Sequence, residues 1–536
     1  MANEQLSKNL HRFLWNFAIM VKVVKNKINY FGLVVIYLAA RYVMGVDVGT
    51  TSTKAVLYET DGSAYESAYA HYPLIKENPE MAEQDLDEIF SAVLKTIKAV
   101  IQKAEVGPTD IAGIGFSSAM HSLILMDADG MPLTRSITWA DNRSKKYASM
   151  LKHSEVGQRF YEKTGTPLHP MSPLNKIPWL KAEKPEVFQS ARWFIGIKEY
   201  ILWRLFGEFV VDYSVASATG LFNIREFRWD EEILEFCGIT SHMLPLPVNP
   251  GYQLSGLSEE VAELLGLAAD TPFIVGGNDG CLANLGMGAI RAGTATITIG
   301  TSGAVRMTSD KPYLSPEGRT FSYILDENHY VNGGAVNNGG NIFDWAIKQF
   351  LPANIADEDL YDKAMEMITN VAPGADGLVF HPYLNGERAP LWNADARGNF
   401  SGINMLHTKE HFLRSVLEGI CLNLKDVLAA VIPMNGEPTK IMASGGFSRS
   451  QVWRQILTDI IGMPIEFPET FESSCTGAAL ITLKSLGLVE SVDDAEKMMG
   501  ASIEHQPDED SKSVYAAMFP RYQEMSQLLQ AFYTDK

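Results

Sequence analysis

The chain has 536 residues, 46% of them hydrophobic and 20% charged, enough apolar material for more than one buried core. Forty-five basic residues against 64 acidic ones leave a net charge of −19, which argues against a nucleic-acid partner because phosphate-backbone binding needs a basic face. Four isolated cysteines with no C-x-x-C pair give no support to zinc or dithiol chemistry and fit a reducing compartment.

Residues 1–43 differ from the rest: they are basic and carry the apolar run "YFGLVVIYLAA", Tyr30 to Ala40. That run is about half the ~20 residues a membrane-spanning helix needs. Lys22, Lys25 and Lys27 precede it, as they would a signal-peptide core. Three readings are open: sequence upstream of a true start near Met44, a membrane-surface element, or a secretion signal. The first is carried forward. Next, "RYVMGVDVGTTSTKAVLYETDGSAYESAYAHY" predicts three strands: Tyr42 to Val48, Thr53 to Tyr58 after a Gly-Thr-Thr-Ser turn, and a third after the Asp61-Gly62 turn. Leu86, Ile89, Phe90, Val93, Ile97, Val100 and Ile101 recur at helical spacing, with Asp85 and Glu88 as a capping box. Gly107-Pro108 ends that helix and "IAGIGFSS" predicts a buried strand.

The second half repeats this order. "TATITIGTSGAVRMTS" predicts strand, turn and strand, and a third strand is expected near Tyr330. A helix (Asn341 to Phe350), a strand (Gly377 to His381), a long helix (Lys409 to Val431), a strand (Lys440 to Ser444) and a helix (Ser450 to Ile461) follow. A short strand and a final helix through "TGAALITLKSLG" close the series. The turns "VGTTS" at 48–52 and "IGTSG" at 299–303 each sit between two hydrophobic strands, which predicts duplicated α/β domains facing across a cleft, divided near residue 288.

Several positions carry chemistry. Asp47 ends a buried strand, where an unpaired carboxylate is costly, so a metal ion or its bound water is the natural partner. Gly49 permits a tight turn, and Thr50, Thr51 and Ser52 offer donors to phosphate oxygens; an ordinary polar hairpin is the alternative. No G-x-x-x-x-G-K-[ST] occurs, so this is not a Walker-type loop. Gly445-Gly446 follows a strand and opens a helix, which suits a phosphate or nucleotide edge, and also simple turn chemistry. Asp279, among Gly276, Gly277 and Gly280, suits a general base at a domain junction and equally a helix N-cap. Met120-His121 follows a buried strand, and Trp139, Asp141, Asn142 and Arg143 have the makeup of a polyol site; core packing is the alternative for the His or the Trp.

Together these motifs resemble the FGGY carbohydrate kinases, from about Met44 to about the last thirty residues. "GVDVGTTSTKAVL" resembles the family's first phosphate motif, "ITIGTSGAVR" the second, and "ASGGFSRSQVWRQ" the adenosine motif. "GNFSGINMLHTKEHFLRSVLE" and "MSPLNKIPWLKAEKP" resemble its two signatures, the latter departing at Ala182, and "NGERAPLWNADARG" also matches. The resemblance implies an α/β fold of two actin/hexokinase-like (ribonuclease H-type) domains with a central cleft. Residues 1–43 would lie outside it, 44–288 would bind the sugar and 289–536 ATP. It implies Asp279 as catalytic base and Asp47 as the holder of Mg²⁺. Gly49, Thr50, Thr51, Ser52, Lys54, Gly300 and Thr301 fall at the phosphates, Gly445, Gly446 and Ser450 at the adenosine, and Met120, His121, Trp139 and Asp141 at the sugar. The runs "SSAMHSLILMD", "PLTRSITWADNRS", "TGTPLHPMSPLNKI", "IGIKEY", "VVDYSVASATG" and "FESSCTGA" resemble the members that act on gluconate. ATP-dependent phosphorylation of D-gluconate is therefore expected. A kinase for xylulose or another aldonate, or a non-catalytic ATP-switched scaffold, are the alternatives. Arg143 is assigned the sugar-acid carboxylate by charge alone, with Lys198 and Arg388 as rivals. The expected partners are a small sugar acid and ATP, without membrane or nucleic acid. The expected location is cytoplasmic, since ATP is intracellular, and a homodimer is carried as an expectation that no motif fixes.

Overall fold

The run "YVMGVDV" is apolar on both faces and forms β1 (Tyr42–Val48), buried along nearly its whole length. The computed structural model describes residues 40–351, 359–469, 472–498 and 500–534. β1 pairs antiparallel with β2 (Ser52–Glu59), and β3 (Ala64–His71) completes a meander. Asp85 then caps α1 (Leu86–Ala104), its carboxylate accepting from the N–H groups of Asp87 and Glu88 at 3.0 Å. The helix returns the chain to β4 (Ile111–Ser118), which lies parallel to β1 and is buried at every residue, as a strand covered on both faces must be. Residues 119–272 hold α2 (Pro173–Glu183) and β5 (Gln253–Leu254). β6 (Phe273–Asn278) runs parallel to β4 and leads directly into α3 (Asp279–Gly286).

The second half rebuilds this plan from β7 (Thr294–Ile299), β8 (Gly303–Ser309), β9 (Phe321–Asp326) and β10 (His329–Val336). α4 (Gly340–Phe350), α5 (Lys409–Asn435), β11 (Lys440–Ser444), α6 (Gln451–Ile461), β12 (Ile465–Pro468), α7 (Ser473–Ser485), β13 (Ser502–His505) and α8 (Glu509–Thr534) follow. The sheets have strand orders β5-β6-β4-β1-β2-β3 and β9-β10-β8-β7-β11-β12-β13. Three antiparallel strands in the first sheet and four in the second are followed by two strands parallel to the first strand of that sheet. This is the duplicated two-domain α/β fold expected from the paired Gly-Thr turns.

Three details differ from the sequence reading. The strand expected near Tyr330 is a hairpin, β9 and β10, closed between Asp326 and His329. The helix through "TGAALITLKSLG" is not the last: α8 follows it and buries Tyr515 and Tyr522 completely. The fold also takes in residues ahead of Met44, because Ala40 is buried and Tyr42 and Val43 belong to β1. Residues 1–39, with nearly all of the apolar N-terminal run, lie outside the described residues. Among the described residues no helix is long and apolar enough to cross a membrane, and all four cysteines are buried free thiols.

The halves are interlocked by backbone contact. α7, from the second half, lies on β1 and β4 of the first sheet and against α3. A Cβ on Gly45 would overlap the carbonyl oxygen of Cys475, and one on Gly477 would overlap that of Leu282. Only hydrogens fit there, so the helices approach with backbone against backbone. Gly45→Ala is expected to cost about 1–3 kcal/mol through overpacking, read as a lower urea midpoint; a wild-type midpoint would mean that α7 does not rest on β1.

Candidate active site

Each Gly-Thr turn is shaped by its own backbone. Gly49 N–H donates to the Ser52 carbonyl at 2.9 Å, and Gly300 N–H donates to the Ser302 carbonyl at 2.8 Å. In the first turn the carbonyls are held inward: Tyr72 Oη donates to Gly49 O and Gln84 Nε2 to Thr50 O, both at 2.8 Å. In the second, Gly340 N–H donates to Gly300 O at 2.8 Å, tying the start of α4 to the turn. Both turns face one cavity of about 890 Å³, lined by Thr50 and Thr51 from one side and by Gly300, Thr301 and Ser302 from the other.

Asp279 lines the same cavity. The capping role that its sequence context allowed belongs to Asn278, whose side chain accepts from Cys281 N–H at 2.8 Å. Asp279 is thereby left free of the cap, and its Oδ1 accepts only from Gly280 N–H, at 2.8 Å. Burial, and then the charge of Asp47, raise its carboxyl to about 6, against the pull of Arg306 and Arg388. A carboxylate poised there is mostly ionised at neutral pH yet basic enough to take a proton.

The other wall carries Met120, His121, Trp139 and Asn142. His121 adopts a left-handed backbone (φ 68°) and donates from Nδ1 to Ala218 O at 2.7 Å. Burial and the nearby Lys176 push its pKa down to about 3, so the ring is neutral and Nε2 is an acceptor. The buried Lys176 ammonium, on α2, donates to the carbonyls of His121, Ile137 and Thr138 and so ties the His121 and Trp139 loops together. Trp139 Nε1 donates to Thr50 Oγ1 at 2.9 Å, and the Arg388 guanidinium lies 4.5 Å from its ring centroid.

A second cavity, about 760 Å³, adjoins the first. Gly446, Phe447, Ser450, Tyr361 and Trp453 line it, and Gly300, Thr301 and Asn341 line both. Gly445 (φ +119°) lines neither cavity: a side chain there would overlap Ile299 O, so glycine lets the β11–α6 turn close on the end of β7 and brings Gly446 to the cavity. Ser450 caps α6, accepting from Trp453 N–H.

Several residues assigned from sequence lie elsewhere. Asp141 lines neither cavity; it is fully buried and accepts from Ala82 N–H and from Arg143. Arg143 lies between Asp141 and Glu83, with its guanidinium 4.6 Å from the Trp179 ring centroid, so its charge is already met and it has no place at a substrate carboxylate. The rival Lys198 is buried against Asp212 and donates to Gly277 O. Lys54 lines neither cavity and instead bridges the halves through Glu472 at 2.9 Å. Asp47, Gly49 and Ser52 line neither cavity; Asp47 accepts from Ser117 Oγ at 2.7 Å. The cavities also bring in residues that the sequence reading passed over: Thr298, Arg306, Tyr323, Asn341 and His169. Only Arg306 had a signal of its own, a charge inside the otherwise uncharged strand "GAVRMTS".

The comparisons with known proteins agree with this architecture. The model of the FGGY family of carbohydrate kinases, N-terminal domain, matches residues 42–286, and that of the C-terminal domain matches 295–486. The chain is 45% identical over 500 residues to the gluconokinase of Bacillus subtilis (strain 168), covering 92% of this chain and 97% of that one. The crystal structure of gluconate kinase from Lactobacillus acidophilus is similar with a TM-score of 0.87 at 38% identity, over 92% of this chain and 99% of that one. A structure of ligand-bound xylulose kinase from Lactobacillus acidophilus gives the same values. With two joined cavities, two facing Gly-Thr turns and both domain models matched in order, the chain belongs to the FGGY family of carbohydrate kinases.

Proposed function

We propose that this chain transfers the γ-phosphoryl group of ATP to the 6-hydroxyl of D-gluconate, giving 6-phospho-D-gluconate and ADP. The observation that carries this reading is the shared wall: Gly300, Thr301 and Asn341 border both the cavity that holds Asp279 and the one lined by Gly446 and Ser450. A nucleotide in the second cavity would bring its terminal phosphate to that wall, and an acceptor in the first would meet it there. The 45% identity to a gluconokinase supports gluconate as the acceptor.

In this reading residues 44–288 supply Asp279 and the sugar-facing wall, and 289–536 supply the nucleotide cavity and the opposite wall of the acceptor cavity, in the cytoplasm where ATP is held. Thr50, Thr51 and Thr301 donate to the phosphates, Gly446 and Ser450 border the adenosine, and Met120, His121 and Trp139 border the sugar. Asp279 accepts the 6-hydroxyl proton as that oxygen attacks phosphorus. The bond to the bridging oxygen breaks and ADP leaves with its electron pair. Little covalent help is needed, since phosphoryl transfer depends mainly on alignment and charge neutralisation. Asp47 suits Mg²⁺: its Oδ1 is fixed by Ser117, and burial raises its pKa. An ion held at Asp47 would be completed by phosphate oxygens and water. When bound, Mg²⁺ would neutralise charge on the phosphates.

Given ATP and Mg²⁺, the purified protein is expected to turn over D-gluconate faster than D-xylulose or glycerol in a coupled ADP assay; a preference for xylulose would overturn the acceptor and leave the family. Asp279→Asn is expected to lower kcat by about 10²–10⁴-fold with ATP binding retained, and near-wild-type turnover would remove Asp279 from the base role. Because the carboxyl must be ionised to act, kcat/KM is expected to fall as pH drops through about 6; a flat profile from pH 7 to pH 5 would contradict it.

A further inference from the structure

The acceptor cavity holds more cationic and donor capacity than the transfer step uses. Arg306 projects from β8, and its Nη1 donates to Thr298 Oγ1 at 3.1 Å. Its Nε is buried with no hydrogen-bond partner. It lies across the start of α3, where a Cβ on Gly280 would sit 3.2 Å from Nε and 3.3 Å from Nη2. Tyr323, on β9, is fully buried, and its hydroxyl also lacks a partner. Its ring is fixed, stacked on Phe321 at 4.4 Å and edge-on to His121 at 5.9 Å. Arg388 is held by Asn337 Oδ1 at 2.8 Å and Val336 O at 3.0 Å. All three residues line the acceptor cavity, and none of them lines the nucleotide cavity.

Buried donors left without partners each cost free energy, so a native structure that keeps them together needs an acceptor for them. The two guanidinium groups oppose each other: burial and then the charge of Arg306 lower the Arg388 pKa to about 10, with Glu387, Tyr323 and Asp279 acting the other way. Burial likewise lowers that of Arg306. Two such cations in a chain of net charge −19 mark a local site for an anion. Arg306 stands four residues past Ser302, about 13 Å along the strand at about 3.3 Å per residue, with Gly280, Thr298 and Tyr323 around it in the acceptor cavity.

We propose that Arg306, with the Tyr323 hydroxyl and Arg388, holds the carboxylate of the sugar acid and so sets the preference for an anionic acceptor over a neutral one. This rests on the gluconate reading above. The guanidinium supplies paired N–H donors that match a carboxylate, and the phenol supplies one more.

Binding of D-gluconate and of D-glucitol, its uncharged counterpart, to wild type, Arg306→Gln, Arg306→Lys and Tyr323→Phe tests this by titration calorimetry with a non-hydrolysable ATP analogue. The gluconate-to-glucitol affinity ratio is expected to fall about 10–100-fold in Arg306→Gln, the weight of a charge-assisted hydrogen bond. It should recover in part in Arg306→Lys and fall less in Tyr323→Phe. An unchanged ratio, or equal loss for both ligands, would overturn the proposal. A wild type that favours the neutral ligand would instead overturn the gluconate reading. A wild-type crystal structure with gluconate decides the matter independently of how the variants fold. Carboxylate oxygens within hydrogen-bond distance of Arg306 and Tyr323 support the assignment, and a carboxylate placed elsewhere refutes it.

Discussion

In the transfer proposed above, Asp279 must be taken out of water and still be ionised near neutral pH, and much of the site's arrangement bears on that constraint. Burial and the charge of Asp47 push the carboxyl up, while Arg306, the Gly280 N–H and Arg388 pull it down; the balance falls at about 6. Desolvation alone would leave the acid protonated and inert as a base. The position depends on the β6–α3 joint, where Asn278 takes the capping bond and releases its neighbour to the cavity. One residue's difference in the cap would turn the carboxylate into a structural group.

The same joint links the chemistry to the interlock of the halves. α3, which begins at Asp279, packs along α7, which comes from the far end of the chain and lies on β1. Asp47 lies one residue before the end of β1, so the two acidic groups are carried by elements that share one packed seam. Lys54 and Glu472 close that seam at its edge, as a half-exposed ion pair of modest energetic weight. Movement of one half against the other would therefore act on the spacing between the acceptor wall and the Gly300–Thr301 turn.

Much of the fold was legible because its signals are local. Asp85 before a helical apolar stripe, "IAGIGFSS" between two breakers and the paired Gly-Thr turns each specify their structure within a few residues. α8 was missed because its burial comes from distant partners: Tyr515 donates to Glu418, and Tyr522 stacks on His381 at 4.2 Å. In the site, Thr50, Thr51, Thr301 and Asp279 were legible as cavity-facing polar groups, since polar groups at buried strand ends are costly unless used. Asp141 and Arg143 were misplaced by the same logic. They read as a free polar cluster, yet each is satisfied by the other, by Ala82 and by Glu83, which are nearly sixty positions away. Tyr323 was passed over because its significance lies in a partner it lacks, which only a three-dimensional arrangement reveals, whereas Arg306 showed only as a lone charge in an apolar strand.

With nucleotide and acceptor in adjoining cavities that share one wall, the phosphoryl group of the proposed reaction passes directly from one oxygen to the other. The most direct measurement uses ATP made chiral at the γ-phosphorus with oxygen isotopes, followed by analysis of the phosphate ester formed. Direct displacement predicts inversion of configuration at phosphorus. Retention would require an intermediate attached to the protein, which the joined cavities do not call for, and would contradict the account.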